Sequence, residues 1–358
     1  MPEIWLNYGT TDVVLDIQAE NLDQNLDSGG EILDDSMIME KIGALDITKP
    51  TELVVQNYTE SVKKVISMIF QKAEQKSLQK PRILADKVIL NQVKNLVPDE
   101  NLISPFEDSE LSNPNLVFIG EMEFDGLFGF ETISTRLIKK FGQDTMLSAY
   151  EKRKNDLPSP GVDTESMQVA RTFSDSFEIG AVEIISNSKG IVDLSIGHPS
   201  TTQSISKSFT SFARKEIGKH RTMIVSTGKE ASNMTLAKSL TSVWNCAEAM
   251  KNDGLLILLA ECKYGIGSDS IQNYIEKDSE KLLNPSKYVD GMEDLLFLME
   301  IQKKFSIGII SILPEFYTKK LKMESLGGIK KAMDYILKTQ GIRQKVQVVS
   351  DGARILLR

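Results

Sequence analysis

Glu121, Glu123 and Asp125 alternate along one short stretch, and on extended backbone alternate residues project from the same face. Carboxylates gathered in this way raise one another's proton affinity or take up a divalent cation. The plainer alternative is a strand end whose acids meet water or the nearby Lys139 and Lys140. A second arrangement is Gly265-Ile266-Gly267-Ser268, which follows an apolar run. Its glycines let the backbone approach a ligand, and free N–H groups at the start of the next helix favour an anion. The same residues also suit a simple strand-to-helix turn, and Asp269 adds negative charge beside them. Lys229, after Thr227-Gly228, stands at the end of another apolar strand, the edge where α/β folds take up ligands. Histidine, the side chain that titrates near neutrality, occurs only twice, as His198 in a Gly-His-Pro turn and as His220. Nothing forms a phosphate-binding loop of the nucleotide type or a catalytic triad.

The elements that must carry these residues read as alternating strands and helices. Residues 4–6 and 12–17 form an opening hairpin around Tyr8-Gly9. After a brief strand at 53–56, Val62, Val65, Ile66, Ile69, Phe70 and Ala73 recur at the spacing of one helical face, with Thr59 as N-cap. Short apolar strands follow at 82–85 and 116–120. A second series starts near Thr222: strands at 222–226, 255–260 and 307–313, and a helix marked by Leu236, Leu240, Val243, Trp244 and Ala247. Such alternation implies parallel strands with crossover helices, hence an α/β fold. Asp351-Gly352, between apolar runs at 345–349 and 354–357, signals a closing hairpin.

The chain has 358 residues, 41% of them hydrophobic and 26% charged, which suits a globular protein of about two domains. A net charge of −8 works against nonspecific binding to nucleic acid or anionic membranes. One local exception gathers Lys207, Arg214, Lys215, Lys219, His220 and Arg221 around Phe209 and Phe212. It reads either as a nucleic-acid patch with stacking aromatics or as a helix with a buried apolar stripe and a solvated basic face. No export signal or membrane-spanning run is visible. Cys246 and Cys262, the two cysteines, leave room for one disulfide at most, and a cytoplasmic setting fits best.

The order of elements, and the residues in them, resembles the nickel-pincer lactate racemase family. Leu6-Asn7-Tyr8-Gly9 with Leu15-Asp16-Ile17 and Glu20-Asn21-Leu22 is similar to that family's N-terminal hairpin. Ala260-Glu261-Cys262-Lys263-Tyr264-Gly265-Ile266-Gly267-Ser268 is similar to its strand-to-helix loop, and Val346-Gln347-Val348-Val349-Ser350-Asp351-Gly352 to its terminal hairpin. The resemblance implies two α/β domains with a cleft between them: residues 1–200, with 343–358 returning to them, and residues 215–342. It also implies a nickel-pincer nucleotide tethered to a lysine, a histidine ligand to nickel, and two further histidines as general bases.

The family's Asp-x-Thr-Arg-Pro motif falls on Asn57-Tyr58-Thr59-Glu60-Ser61, so Glu60 replaces the arginine that clamps a carboxylate. The first catalytic histidine should follow Ala85, where Asp86-Lys87-Val88 stands. The tethering lysine becomes Thr132, after Gly126 and Gly129, and the nickel-ligand histidine falls near Ser148 or Tyr150. The substrate-contacting glutamine and lysine map approximately to Lys238 and Thr241. We therefore expect no catalytic residue, metal or cofactor of the family's kind. The expected ligand is a small anion, with Asn57, Thr59, Lys229, Lys238, Gly265, Gly267 and Ser268 as its binding residues, in a noncatalytic or regulatory protein. The alternatives are an isomerase of a hydroxy acid or sugar acid with altered chemistry, and a protein-interaction module.

Overall fold

The computed structural model describes residues 3–87, 89–94, 102–107, 111, 113, 115–153, 157–229, 234–277 and 287–358. Two six-stranded sheets organise it. The first runs in the order Gly190–Gly197, Gly180–Asn187, Leu116–Glu121, Glu52–Val55, Arg82–Ala85, Ile103–Pro105. Its strands are parallel except for the antiparallel pair at the edge. Runs such as Leu53-Val54-Val55 and Ile83-Leu84-Ala85 are buried throughout, as a parallel sheet covered on both faces requires.

The helix Glu60–Gln75 covers one face. Thr59 caps it, its hydroxyl accepting from the Val62 N–H at 3.2 Å, and Val62, Val65, Ile66, Ile69, Phe70 and Ala73 all bury their side chains. On the same helix Lys72 turns inward, and its Nζ donates to the carbonyls of Ile42, Gly43 and Leu45 at 2.9, 3.1 and 2.5 Å. These are orphan acceptors at the end of the helix Asp35–Ile42, which a cation near a helix C-terminus suits.

The distal sheet is wholly parallel, in the order Glu324–Ser325, Ser306–Ile310, Met250–Leu259, His220–Ser226, Val346–Val349, Leu22–Leu26. Two expectations about the chain ends are corrected by it. Residues 346–349 do not return to the first domain but lie inside the distal sheet, with Val348 beside both Ile224 and Asn25. Residues 3–26 also belong there, since Leu22–Leu26 is its edge strand and the opening hairpin covers one face. That hairpin, Glu3–Tyr8 with Thr11–Asp16, pairs as expected, and Ile4, Leu6, Leu15 and Ile17 pack on Ile224, Ile257, Val346 and Val348.

Asp351-Gly352 turns no hairpin either, because Leu356–Leu357 pairs in parallel with Arg214–Lys215. The glycine is needed for a close approach instead of a turn. The Gly352 N–H donates to the Ser226 carbonyl at 2.7 Å, and a Cβ there would lie 2.5 Å from the Val225 side chain. Only the last residues reach toward the first domain, where Arg354 and Arg358 bond to Glu121 and to the Pro160 carbonyl. Cys246 and Cys262 are free and buried, and burial pushes both thiols up to about 12. No helix among the described residues is long and apolar enough to cross a membrane.

Candidate functional site in the interdomain cleft

The strand Leu116–Glu121 leads into a small ribbon in which Glu123 faces Glu131 and Phe124 faces Phe130. The helix Ile133–Phe141 follows it, and the ribbon lies against the distal helix Leu236–Cys246. The loop that closes this corner is pinned at Gly129, whose carbonyl accepts from the Gly161 N–H at 2.8 Å. Gly129 has φ +84°, and a Cβ there would collide with the Val162 carbonyl oxygen. Gly129→Ala is expected to lower the unfolding free energy by about 2 kcal/mol or more, from left-handed backbone plus steric conflict. Urea denaturation of the variant checks this; an unchanged midpoint would mean that the loop yields freely.

The alternating acids do not converge on one point. The Glu121 side chain accepts from Thr59 Oγ1 at 2.5 Å, from Ser186 Oγ, and from Arg354 Nη2 and Nε at 3.0 and 3.2 Å. Glu123 lies 3.5 Å from Lys238 Nζ and 4.0 Å from Arg136. Asp125 accepts from Lys139 Nζ at 2.9 Å and from the N–H groups of Leu127 and Phe128. Each carboxylate thus has its own cation, and no group of three His, Cys, Asp or Glu among the described residues could hold a metal ion.

Glu123, Glu131, Arg136 and Lys238 form a compact ionic cluster where the ribbon meets the helix Leu236–Cys246. Lys238 Nζ donates to Glu131 at 2.5 Å, and Arg136 Nε lies 3.6 Å from the same carboxylate. Burial opposes ionisation of Glu131, but Lys238, Arg136 and Lys139 overcome it and hold its carboxyl well below the usual range. Glu123 moves the other way, since burial outweighs the attraction of Lys238 and the charge of Glu131 adds repulsion.

Beside this cluster lies a cavity of about 250 Å³ lined by Asp125, Glu131, Lys139, Lys238, Thr241 and Trp244, with Gly267 and Asp290, Gly291, Glu293 and Asp294 opposite. Burial pushes Glu293 up to about 7 despite the attraction of Lys139. Asp294 is raised well above the ordinary range by burial and by Glu293, and Asp290 is raised chiefly by burial. Burial works against the charge on Lys139, yet Asp125, Glu131 and Glu293 hold it protonated well above the ordinary lysine range.

The residues expected to bind a ligand divide into three groups. Asn57 and Thr59 both engage Glu121: the Asn57 side chain donates to its carbonyl at 3.1 Å and accepts from its N–H at 2.9 Å. Lys238 and Gly267 share the cavity, and Ser268 lies behind it, its hydroxyl accepting from the Ile271 N–H and donating to the Asp290 carbonyl. Gly265 is tied to the helix start through Leu236 N–H at 2.9 Å, and a Cβ on Gly267 would strike Thr235. Lys229 stands apart, largely exposed and 3.9 Å from Asp12. Sequence reasoning named Lys139 as a neighbour of the alternating acids, where it pairs with Asp125, but passed over Glu131, Arg136, Glu293 and Arg354. Glu293 and Asp294 look like ordinary acids in the first turn of the helix Met292–Ile301, and no local signal sets them opposite Lys139.

The whole of this chain aligns with the whole of the lactate racemase apoprotein from Thermoanaerobacterium thermosaccharolyticum, each covered to 100%, with a TM-score of 0.74 and 15% sequence identity. The fold is that of lactate racemase. A protein from Thermotoga maritima of known crystal structure is also similar, with a TM-score of 0.62, 10% identity, and 92% of this chain and 100% of that one covered. No protein-family description and no curated protein matches the sequence.

Within the lactate racemase-like frame, Thr132 is fully buried as the N-cap of the helix Ile133–Phe141, in a reciprocal capping box with Thr135. Tyr150 is buried and Ser148 exposed on the next helix. His198 caps a short helix and contacts the Phe177 carbonyl at 3.0 Å. His220 pairs with Asp23 at 3.1 Å. Neither histidine is among the cavity-lining residues.

Proposed function

We propose that this lactate racemase-like chain binds a small positively charged molecule, such as a primary amine, in its interdomain cavity without nickel-pincer chemistry. The observation that carries this reading is the charge of the wall. Asp125, Glu131, Asp290, Glu293 and Asp294 outnumber the wall's cations Lys139 and Lys238, and both lysines are already ion-paired. An entering anion would find the wall's cations already taken and would oppose ionisation of its acids, whereas an ammonium group would offset the burial that raises Asp290, Glu293 and Asp294. The expected small-anion ligand is thus reassigned away from this cleft. The residues do not fit a lysine-tethered pincer: Thr132 has no amine, its hydroxyl is committed to the helix cap, and both histidines are engaged on other elements.

A bound ammonium favours ionised carboxylates, so affinity is expected to rise as pH increases through about 7, where Glu293 titrates. Calorimetric titration with putrescine and with lactate at pH 6 and pH 8 tests both points. Putrescine should bind more tightly at pH 8, and Glu293→Gln with Asp294→Asn should abolish binding. Preferential binding of lactate would overturn the proposal.

One observation favours a second reading, an isomerase of a hydroxy acid or sugar acid. A buried carboxyl poised near neutrality beside a lysine suits general acid–base work, and Glu293 meets that description. Deuterium uptake from solvent at the substrate's carboxyl-bearing neighbour carbon, lost in Glu293→Gln, would favour the enzyme.

A further inference from the structure

A cavity of about 850 Å³ forms a groove away from the cleft. Its volume falls in the range of small-molecule sites. One wall is a polar stripe, since Ser200, Gln203, Ser204, Lys207, Thr210, Ser211 and Arg214 all line it and succeed one another at the three- and four-residue spacing of a helical face. Arg171, Asp163, Gly161 and Phe130 form the other side.

Its charges are largely settled among themselves. Arg171 pairs with Asp163 at 3.1 Å and Arg214 with Glu216 at 2.5 Å. Lys207, on the helix Ser206–Ala213, makes no ion pair among the described residues, and the hydroxyls of Ser204, Ser206 and Ser211 make no hydrogen bond there. Gln203 is 3% exposed, and its Nε2 is anchored to Ser134 Oγ and the Pro199 carbonyl, both at 3.3 Å. Among the described residues its Oε1 has no donor, and Arg171 Nε has no acceptor. The groove therefore offers one uncommitted cation, several free hydroxyls, an unfilled acceptor and an unfilled donor. Buried polar atoms left in this state cost stability unless a ligand completes them.

We propose that this groove binds a small phosphorylated polyol, with Lys207 and the serine hydroxyls holding the phosphate and Gln203 accepting from a ligand hydroxyl. A nucleic acid fits the same basic region less well, because the aromatics that would stack on bases are not free. Phe209 is 1% exposed and stacks on Phe124 at 4.2 Å, and Phe212 packs against Phe209. Sequence-tolerant binding of single strands relies on such rings.

Titration calorimetry of the full chain with ribose 5-phosphate, ribose, inorganic phosphate and a single-stranded RNA oligonucleotide tests the site. Ribose 5-phosphate is expected to bind, and Lys207→Ala to weaken it about tenfold through loss of a charge-assisted hydrogen bond. Gln203→Leu, which removes the amide acceptor, should lower the preference for ribose 5-phosphate over inorganic phosphate. The cleft variant Glu293→Gln should leave binding unchanged, so the two sites fail or succeed separately. Lack of ribose 5-phosphate binding, equal binding by inorganic phosphate, insensitivity to Lys207→Ala in a variant with a normal melting curve, or preferential RNA binding would each overturn the proposal.

Discussion

Replacing Glu121 by alanine is expected to destabilise the protein by about 3–5 kcal/mol, the cost of leaving a buried ion pair with one partner. Glu121 is 2% exposed, and its carboxylate receives Arg354 from the chain terminus and Thr59 and Ser186 from the first domain. Without it, Arg354 loses the carboxylate that its Nε and Nη2 both reach, while its Nη1 keeps Asp351 at 3.1 Å, and Thr59 loses its acceptor at the head of a 16-residue helix. Glu121→Gln retains an acceptor for the two hydroxyls but removes the charge, so it should fall between alanine and wild type. Equilibrium unfolding in urea measures all three. A loss below about 1 kcal/mol for alanine, the scale of an exposed pair, would show that Glu121 does not clamp the terminus to the first domain.

Stability should also fall as pH rises from about 4.5 to about 7, and Glu183 should supply much of that fall. This glutamate is 0% exposed in the strand Gly180–Asn187. It accepts from the Ile133 N–H at 3.0 Å and from Thr202 Oγ1 at 3.1 Å, yet burial pushes its carboxyl from 4.5 up to about 7. Between those values the unfolded chain has released the proton while the folded chain still holds it. Stability tied to this group is therefore complete below the unfolded value and lost as pH passes through the folded one, by about 3 kcal/mol in total. Glu183→Gln keeps an acceptor and cannot ionise, so its advantage over wild type should grow by that amount across the window. Parallel unfolding curves at pH 4.5 and pH 8 decide it. Because Glu293 is also raised to about 7, the informative quantity is the difference between variant and wild type.

Much of the fold was legible wherever burial writes a period into the chain. The stripe from Val62 to Ala73 and its cap at Thr59 announced the helix Glu60–Gln75, and the apolar run at Leu255 announced a buried strand. The terminal strand was misplaced because Val346-Gln347-Val348-Val349 has the same local pattern in a hairpin as in the middle of a parallel sheet; only its neighbours Ile224 and Asn25 distinguish the two. The cleft was less legible for a similar reason. Lys238 was named, but its partner Glu131 lies 107 residues earlier in the chain, and nothing near either residue states that charge is being neutralised. Thr59 was legible as a cap and not as a donor to Glu121, 62 residues away.

The placement of the two chain ends has a consequence for synthesis. Val346–Val349 is the slot between Leu22–Leu26 and His220–Ser226, so the distal sheet joins strands that leave the ribosome far apart in time. Strands 52–197 of the first sheet are all available long before that slot can be filled. The first sheet can pair while Leu22–Leu26 waits, its hydrogen-bonding edge unsatisfied, for a partner more than 300 residues downstream. Such delayed long-range closure slows folding and leaves an edge open to wrong partners. A nascent chain stopped short of Val346 thus carries Leu22–Leu26 without the neighbour that joins it to the distal sheet.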